Sequence, residues 1–138
     1  DGGLNWTNVN GGAKYDLAFN PMDHNIMYTS GYKNIQRSLD NGKTWAVINS
    51  SGLPLADDVV WCRLGVTNAN PNIVFAWYLG TSANSFGLFK SSDAGVNWRK
   101  VNAQTIGAQA GYDFVLAVSP FDSNLVFCGG QDLYFSNT

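Results

Sequence analysis

The sequence predicts an all-β fold in which one supersecondary unit is repeated along the chain. Two repeated phrases carry this prediction. The first reads Ser-x-Asp-x-Gly-x-Thr/Asn-Trp and is complete at residues 38–45 and 91–98, with a shortened copy at 1–6. The second is a proline-containing turn between apolar segments, at residues 20–28 and 119–127. A repeated unit determines the whole architecture, so it has to be interpreted before any single residue.

The first phrase has a local physical mechanism. Its Asp carboxylate can accept hydrogen bonds from nearby backbone N–H groups, and the Gly two residues later tolerates a positive φ. The Thr or Asn resumes an extended chain, and the Trp buries a large ring between sheets. We therefore expect the residues of this phrase to be structural. They are Asp1, Gly3, Trp6, Ser38, Asp40, Gly42, Trp45, Ser91, Asp93, Gly95 and Trp98.

The spacing of the repeats indicates the kind of sheet. Trp6, Trp45 and Trp98 are 39 and then 53 residues apart, which is typical of four-stranded β-propeller blades. The proline phrase supports this interpretation, because it predicts a turn between two strands. A blade would then consist of strand a, the proline turn, strand b, a loop, strand c, the Asp turn and strand d.

This order of strands and turns predicts the residue range of each strand. We expect a first blade with strands at 14–20, 25–31, 34–39 and 43–49, a second at 58–67, 72–79, 86–92 and 96–101, and three strands of a third at 112–118, 124–128 and 132–136. Residues 5–9 would be the fourth strand of a split blade. The corresponding division of the chain is 1–11, 12–49, 50–102 and 103–138.

The first phrase resembles the Asp-box, or BNR repeat. The chain is therefore similar to the propellers that carry this repeat, including sialidases, the sortilin (Vps10) family and the xyloglucan-cleaving glycoside hydrolases. The resemblance covers essentially the whole chain and implies a propeller architecture. It does not select one activity among these families.

The ends of the chain leave two alternatives for the ring. The repeats amount to about three blade-equivalents, whereas closed propellers have 4–8 blades. The chain is expected to be an excerpt of a larger propeller. In the alternative, residues 5–9 complete the last blade, and copies of the chain assemble into a six-bladed ring. In both cases the remaining blades, from the same or another chain, are expected partners.

Composition excludes several classes of function. The net charge is −2 and only eight residues are Lys or Arg, so we expect no nucleic-acid partner. The longest apolar run, residues 73–79, is too short to span a membrane, and no membrane insertion is expected. The composition suits an extracellular or cell-surface β-protein. Cys62 and Cys128 are expected to be free buried thiols rather than a disulfide.

The remaining aspartates suggest a site. All ten acidic residues are Asp, and those outside the turns precede or begin the predicted innermost strands, whose ends surround the channel mouth of a propeller. Asp16, Asp58 and Asp113 are the candidate catalytic residues, with Asp57 beside them. Aromatic residues near a carboxylate suit sugar recognition. The candidate ligand-binding residues are Tyr15, Trp61, Tyr78 and Tyr112. Alternatively, these aspartates cap strand starts or pair with Lys14 and Arg63.

No complete catalytic set is visible. A resemblance to sialidases would require an arginine triad and a Tyr–Glu pair, but the chain has no Glu, and Arg37 and Arg99 flank the Asp turns. His24 is the only histidine and lies in a proline turn, so no metal site is expected. No phosphate-binding loop is present, and no cofactor is expected.

Two functions follow as hypotheses. The first is a non-catalytic segment of a secreted or surface Asp-box propeller that scaffolds the binding of a carbohydrate or protein ligand. The second is part of a glycoside hydrolase that uses channel-mouth aspartates as acid and base. Whether the protein is an enzyme stays open at this point.

Overall fold

A computed structural model describes residues 1–32, 34–48, 52–54, 59–80, 85–102 and 110–137. The described chain forms three antiparallel sheets, which confirms the predicted all-β fold of propeller blades. The first sheet contains β1 (Lys14–Phe19), β2 (Met27–Gly31), β3 (Asn34–Ser38) and β4 (Ala46–Val47). The second contains β5 (Val59–Val66), β6 (Val74–Gly80), β7 (Ser85–Ser91) and β8 (Arg99–Asn102). The third contains β9 (Val115–Val118), β10 (Val126–Gly129) and β11 (Leu133–Ser136), and a four-residue helix α1 (Ala110–Asp113) precedes it.

Each sheet is a meander whose first strand lies next to the first strand of the neighbouring sheet. β5 contacts both β1 and β9, so these three strands form a row, which we call the inner strands. They run in the same direction, because contacts join their starts and also their ends. Near the ends, the Thr67 hydroxyl donates to the Ser119 carbonyl at 2.6 Å. The inner strands pack closely, since a Cβ at Gly65 would lie only 2.7 Å from Val118 Cγ2.

Two segments differ from the expected strands. Residues 5–9 form no strand in the structure, although the sequence predicts one there. Residues 112–113 belong to α1, and the inner strand of the third sheet begins only at Val115. The shortening has a local cause, because Gly111 and Asp113 are poor strand formers and the β-branched and aliphatic run starts at Val115.

Hydrophobic cores fill the two spaces between sheets. Tyr28 and Ile35 of the first sheet pack with Val74 and Phe89 of the second. The opposite face of the second sheet, including Trp77, packs against residues of the third. The second sheet is therefore covered on both faces, and this explains why β6 is buried along its whole length.

The complete turns at 38–45 and 91–98 have matching hydrogen bonds. Asp40 Oδ1 accepts from the Thr44 amide at 2.8 Å, and its Oδ2 accepts from the Thr44 hydroxyl at 2.7 Å. Asp93 accepts in the same way from the amide and side chain of Asn97. These donors, with the serine two residues before each Asp, lower the pKa of both carboxyl groups to about 2. The repeated spacing of the phrase is thus explained by local hydrogen bonding.

The tryptophans that end the three copies of the phrase have different environments. Trp98 is only 6% exposed and packs in the core between the first and second sheets. Trp45 is half-buried on the opposite face of the first sheet. Trp6 is 89% exposed, although Asp1 forms the expected turn bonds to the amides of Gly3 and Asn5. The hydrogen bonds of the first turn are therefore formed, but its tryptophan does not pack in a core.

Candidate functional site at the start of the inner strands

The starts of the three inner strands meet at one end of the molecule, and Arg63 connects them. Its Nε donates to the Phe114 carbonyl at 2.9 Å, and its Nη1 donates to the Tyr15 carbonyl at 2.8 Å. A single guanidinium of the second sheet thus fixes the backbones of the first and third sheets. The sequence predicts Arg63 only as a possible partner for an aspartate, because both observed acceptors are main-chain groups about 50 positions away.

Two of the predicted ligand-binding residues form an aromatic stack at this end. The rings of Tyr15 and Trp61 lie 4.4 Å apart, with an angle of 11° between their planes. The Arg63 guanidinium lies 5.7 Å from the Trp61 ring centroid. Both aromatic residues are half-buried. Trp61 Nε1 is buried and has no hydrogen-bond partner among the described residues.

Asp16 lies beside this stack, but both its oxygens are engaged by the backbone. Oδ1 accepts from the Leu17 amide, and Oδ2 accepts from the Leu64 amide of β5, each at 2.9 Å. The side chain therefore links two inner strands. This geometry matches the structural alternative, in which the aspartate caps a strand start.

Asp113 and Tyr112 lie at the end of α1, directly before β9. Tyr112 is 96% exposed. Asp113 is half-buried, and its Oδ1 is enclosed without a hydrogen-bond partner in the described part of the chain. An enclosed carboxylate oxygen without a donor is costly, so among the described aspartates of this end Asp113 is the one whose position local structure does not explain.

Tyr78 does not lie on the ligand surface that the sequence predicts. It is 3% exposed and packs edge-to-face on Phe89, with 5.6 Å between ring centroids. Burial, followed by the nearby Cys62 thiol, raises its pKa well above the ordinary value. The sequence did not reveal this, because a tyrosine in an apolar strand is compatible with either face.

The cysteines are free and buried, as the sequence predicts. Burial raises the pKa of both thiols, for Cys128 to about 11. Asp57 and Asp58 lie outside the described residues. Within the described ranges, no group of three or more potential metal ligands occurs. No helix there is long and apolar enough to cross a membrane.

The site can thus offer a partly accessible aromatic stack, an exposed tyrosine and one carboxylate with an unpaired oxygen. Asp16 is not available as a free acid or base, because both its oxygens accept hydrogen bonds from backbone amides. The arrangement suits binding of a ligand with flat apolar faces and hydroxyl groups better than a two-carboxylate reaction.

Comparisons with known proteins support the fold. No family model matches the sequence, and no curated protein matches it. Among solved structures, the chain is similar to an ancestral GH74 enzyme, with a TM-score of 0.65 and 14% identity over 90% of this chain and 17% of that one. It is also similar to the GH74 enzyme of Niastella koreensis, with a TM-score of 0.62 and 22% identity over 91% of this chain and 21% of that one.

A third similar structure is YCF48 from Cyanidioschyzon merolae, with a TM-score of 0.57 and 16% identity over 91% of this chain and 34% of that one. At these identities the similarity shows the β-propeller fold and not an activity. The chain spans between 17% and 34% of the lengths of these three proteins. Its three sheets are accordingly blades of a propeller.

Proposed function

We propose that this chain is a non-catalytic segment of an Asp-box propeller whose inner-strand starts bind a carbohydrate. The observation that carries the proposal is the contrast between Asp16 and its aromatic neighbours. Both Asp16 oxygens accept hydrogen bonds from backbone N–H groups, whereas the Tyr15–Trp61 stack at the same end is only half-buried. The carboxylate supports the scaffold and leaves the aromatic residues to contact a ligand.

Carbohydrate is favoured over other ligands by the residue types at this end. Aromatic rings provide large rigid apolar surfaces with a polar edge, and these match the apolar faces of a pyranose. The exposed Tyr112, in the helix that precedes β9, adds a third ring with a hydroxyl group at the same end of the inner strands. A protein ligand would use the same aromatic surface and is the main alternative result of the test.

The test is a glycan array with the purified chain, followed by calorimetric titration of the best ligand against two variants. Tyr112→Ala removes an exposed ring at the site. Phe121→Ala removes a ring that is 93% exposed in the proline turn at the other end of the third blade's inner strand. We expect about tenfold weaker binding for Tyr112→Ala, equivalent to ~1.4 kcal/mol, and unchanged binding for Phe121→Ala.

Equal losses in both variants would contradict the proposed site. Absence of any glycan ligand, together with capture of a protein that Tyr112→Ala abolishes, would assign the same surface to a protein partner.

A glycoside hydrolase segment is the second candidate, and Asp113 is the observation that favours it. Its unpaired, enclosed oxygen is the kind of carboxylate that can serve as a general acid, and GH74 enzymes are among the similar folds. Other blades would have to supply the second carboxylate. Hydrolysis of β-glucans by the full-length protein, abolished by Asp113→Asn and unaffected by Asp122→Asn, would establish this function in place of the first.

We also propose that the protein acts outside the cell or at its surface. The support is the composition and the ligand class. Fractionation of the source cells, with the protein found in the cytoplasm, would contradict it.

A further inference from the structure

The sequence contains two Asn–Gly pairs, at residues 10–11 and 41–42, and their surroundings in the fold differ. An Asn–Gly pair is chemically reactive, because the main-chain nitrogen of the glycine can attack the side-chain carbonyl carbon of the asparagine. Glycine has no Cβ to hinder this approach, and it leaves the backbone free to rotate into it. Each pair is therefore a potential site of spontaneous modification, and the folded structure decides whether it reacts.

The reaction of such a pair needs hydroxide and water as its co-reactants. Once the glycine N–H has lost its proton to hydroxide, a bond forms between that nitrogen and the asparagine Cγ. The Cγ–Nδ2 bond breaks, and the side-chain nitrogen takes a proton from water and leaves as ammonia. Water then opens the cyclic imide at one of its two carbonyl carbons, which gives either aspartate or isoaspartate. The sum is the exchange of one NH2 group for one OH group, which ionises and adds one negative charge.

The pair at 41–42 is held in a conformation that hinders the attack. Gly42 is buried, and its N–H donates to the Ser38 hydroxyl oxygen at 2.9 Å. That oxygen has to be the acceptor, because its own proton is donated to Asp40 Oδ1 at 2.8 Å. Asn41 is fixed as well, with a φ of 59° and with its amide donating to the Asn25 carbonyl at 3.0 Å. The attacking nitrogen is therefore held within the turn.

The charge next to Gly42 adds to this protection. Asp40 is a carboxylate at neutral pH, since the hydrogen bonds of the turn lower its pKa to about 2. One hydroxyl group separates this carboxylate from the Gly42 nitrogen, because both bond to Ser38 Oγ. A negative charge so close opposes removal of the proton from the Gly42 amide. The turn thus disfavours both the attack and the anion that performs it.

The pair at 10–11 has neither restraint. Gly11 is exposed, and within the described ranges its N–H has no hydrogen-bond acceptor. A Cβ at Gly11 would meet no atom within 4 Å, so the backbone there has room to rotate. The charged group bonded to this glycine is a cation, because Lys14 Nζ donates to the Gly11 carbonyl at 2.8 Å. A nearby ammonium group stabilises the deprotonated amide nitrogen, which is the opposite of the effect at Gly42.

From this contrast we infer that Asn10 is a site of spontaneous deamidation to aspartate and isoaspartate, and that the turn at 38–45 protects Asn41 from the same reaction. The modification changes a contact of the fold. Asn10 Nδ2 donates to Gln36 Oε1 of β3 at 2.8 Å, whereas a carboxylate at position 10 has no proton for that bond. Deamidation therefore removes the hydrogen bond that joins the segment before β1 to the first blade at this position.

The test is a time course of the full 138-residue chain in mildly alkaline buffer, followed by peptide mapping with mass spectrometry. Deamidation at each pair is detected as the mass difference between NH2 and OH, and isoaspartate as a second peak of the same mass. We expect Asn10 to react at least about tenfold faster than Asn41, because Gly42 first has to break its hydrogen bond and leave the turn. In urea, which opens the turn, the two rates are expected to converge. Equal rates in the folded chain would overturn the inference.

Two single variants test the causes at Asn10, and circular dichroism verifies that they are folded. Gly11→Ala adds a methyl group where the fold has space for it, and it is expected to slow Asn10 by about tenfold, equivalent to ~1.4 kcal/mol of activation free energy. Lys14→Gln removes the cation and is expected to slow Asn10 severalfold without changing Asn41. Phe121→Ala, at an exposed position in another turn, is the control and should change neither rate. An unchanged rate at Asn10 in Gly11→Ala would overturn the inference, and an unchanged rate in Lys14→Gln would contradict the role of the cation.

Discussion

The aspartates of the two complete turns act through their nearest neighbours in sequence, and for this reason their role was predictable. The donors to Asp40 and Asp93 lie within four residues of each carboxylate. Asp16 differs, because its donor from Leu64 is 48 residues away. The spacing of residues within a repeat predicts hydrogen bonds between near neighbours in sequence, but it does not predict hydrogen bonds between blades. The sequence therefore located Asp16 at the correct end of the molecule but left its role open.

The depressed pKa values of Asp40 and Asp93 predict acid sensitivity. A carboxyl group whose pKa is about 2 in the folded state and about 3.9 in the unfolded state stabilises the fold above pH 4. That contribution is lost as the pH falls from about 4 to about 2. We expect the melting temperature of the wild type to fall over this range. The double variant Asp40→Asn/Asp93→Asn is expected to melt lower at pH 7 and to fall less steeply.

Thermal melts between pH 2 and pH 7 test this expectation. Asp132→Asn is the control, because that carboxylate lies 3.5 Å from the Tyr134 hydroxyl and in no repeated turn. Parallel pH profiles for the wild type and the double variant would refute the assignment.

At the scale of elements, strand existence was predictable and packing was not. Every strand of the first two blades lies within about three residues of its expected bounds, because turn residues punctuate the sequence. Residues 5–9 carry the correct pattern but form no strand, since a strand also requires a neighbour to pair with. Tyr78 was misplaced for a related reason, because alternation does not identify which face of a doubly covered sheet meets solvent.

The contrast between Trp98 and Trp6 gives an element-scale prediction. Trp98→Ala empties a buried site between two blades and is expected to lower the free energy of unfolding by about 3–5 kcal/mol. Trp6→Ala changes an exposed ring at the corresponding position of the first turn and is expected to change the stability of the chain by less than ~0.5 kcal/mol. Urea unfolding measures both. Similar losses would mean that the turn itself, rather than its packing, requires the indole.

Gly95 and Gly3 allow the backbone and packing effects to be separated. They occupy the same turn position with φ of +86° and +90°, so alanine is strained in both. Only at Gly95 would the new Cβ also meet Ile48 Cδ1 at 2.9 Å. We therefore expect Gly95→Ala to destabilise the chain by about 1–3 kcal/mol more than Gly3→Ala, measured by urea unfolding. Equal effects would show that φ alone explains the glycine.

For the whole molecule, the contacts that connect the three blades matter more than any repeated phrase. The phrases recur because each blade is made alike, and they identify the fold. Arg63 belongs to neither repeated phrase, and its side chain, on the second blade, joins the first blade to the third. No repeat pattern can indicate such a residue, because its acceptors are carbonyl groups that every position carries. The candidate site was therefore predictable in its location and aromatic residues, but not in the cation that holds it together.

Arg63 should accordingly contribute more to stability than a surface arginine. Arg63→Met keeps much of the aliphatic stem but leaves the Tyr15 and Phe114 carbonyls without their donors. Because hydrogen bonds from charged groups contribute about 1.5–3 kcal/mol each, and part of this is regained from water at a half-buried site, we expect a loss of about 2–4 kcal/mol. Arg63→Lys should recover less than half of it, since one ammonium cannot reproduce the two-sided fork. Arg99→Met, at an exposed position, should cost less than ~0.5 kcal/mol. Urea unfolding gives the free energies of unfolding of these variants. Hydrogen exchange at the amides of Leu17 and Leu116 reports whether the inner strands β1 and β9 loosen together. Full recovery by Lys would show that charge near the Trp61 ring, rather than the paired backbone bonds, is what the site requires.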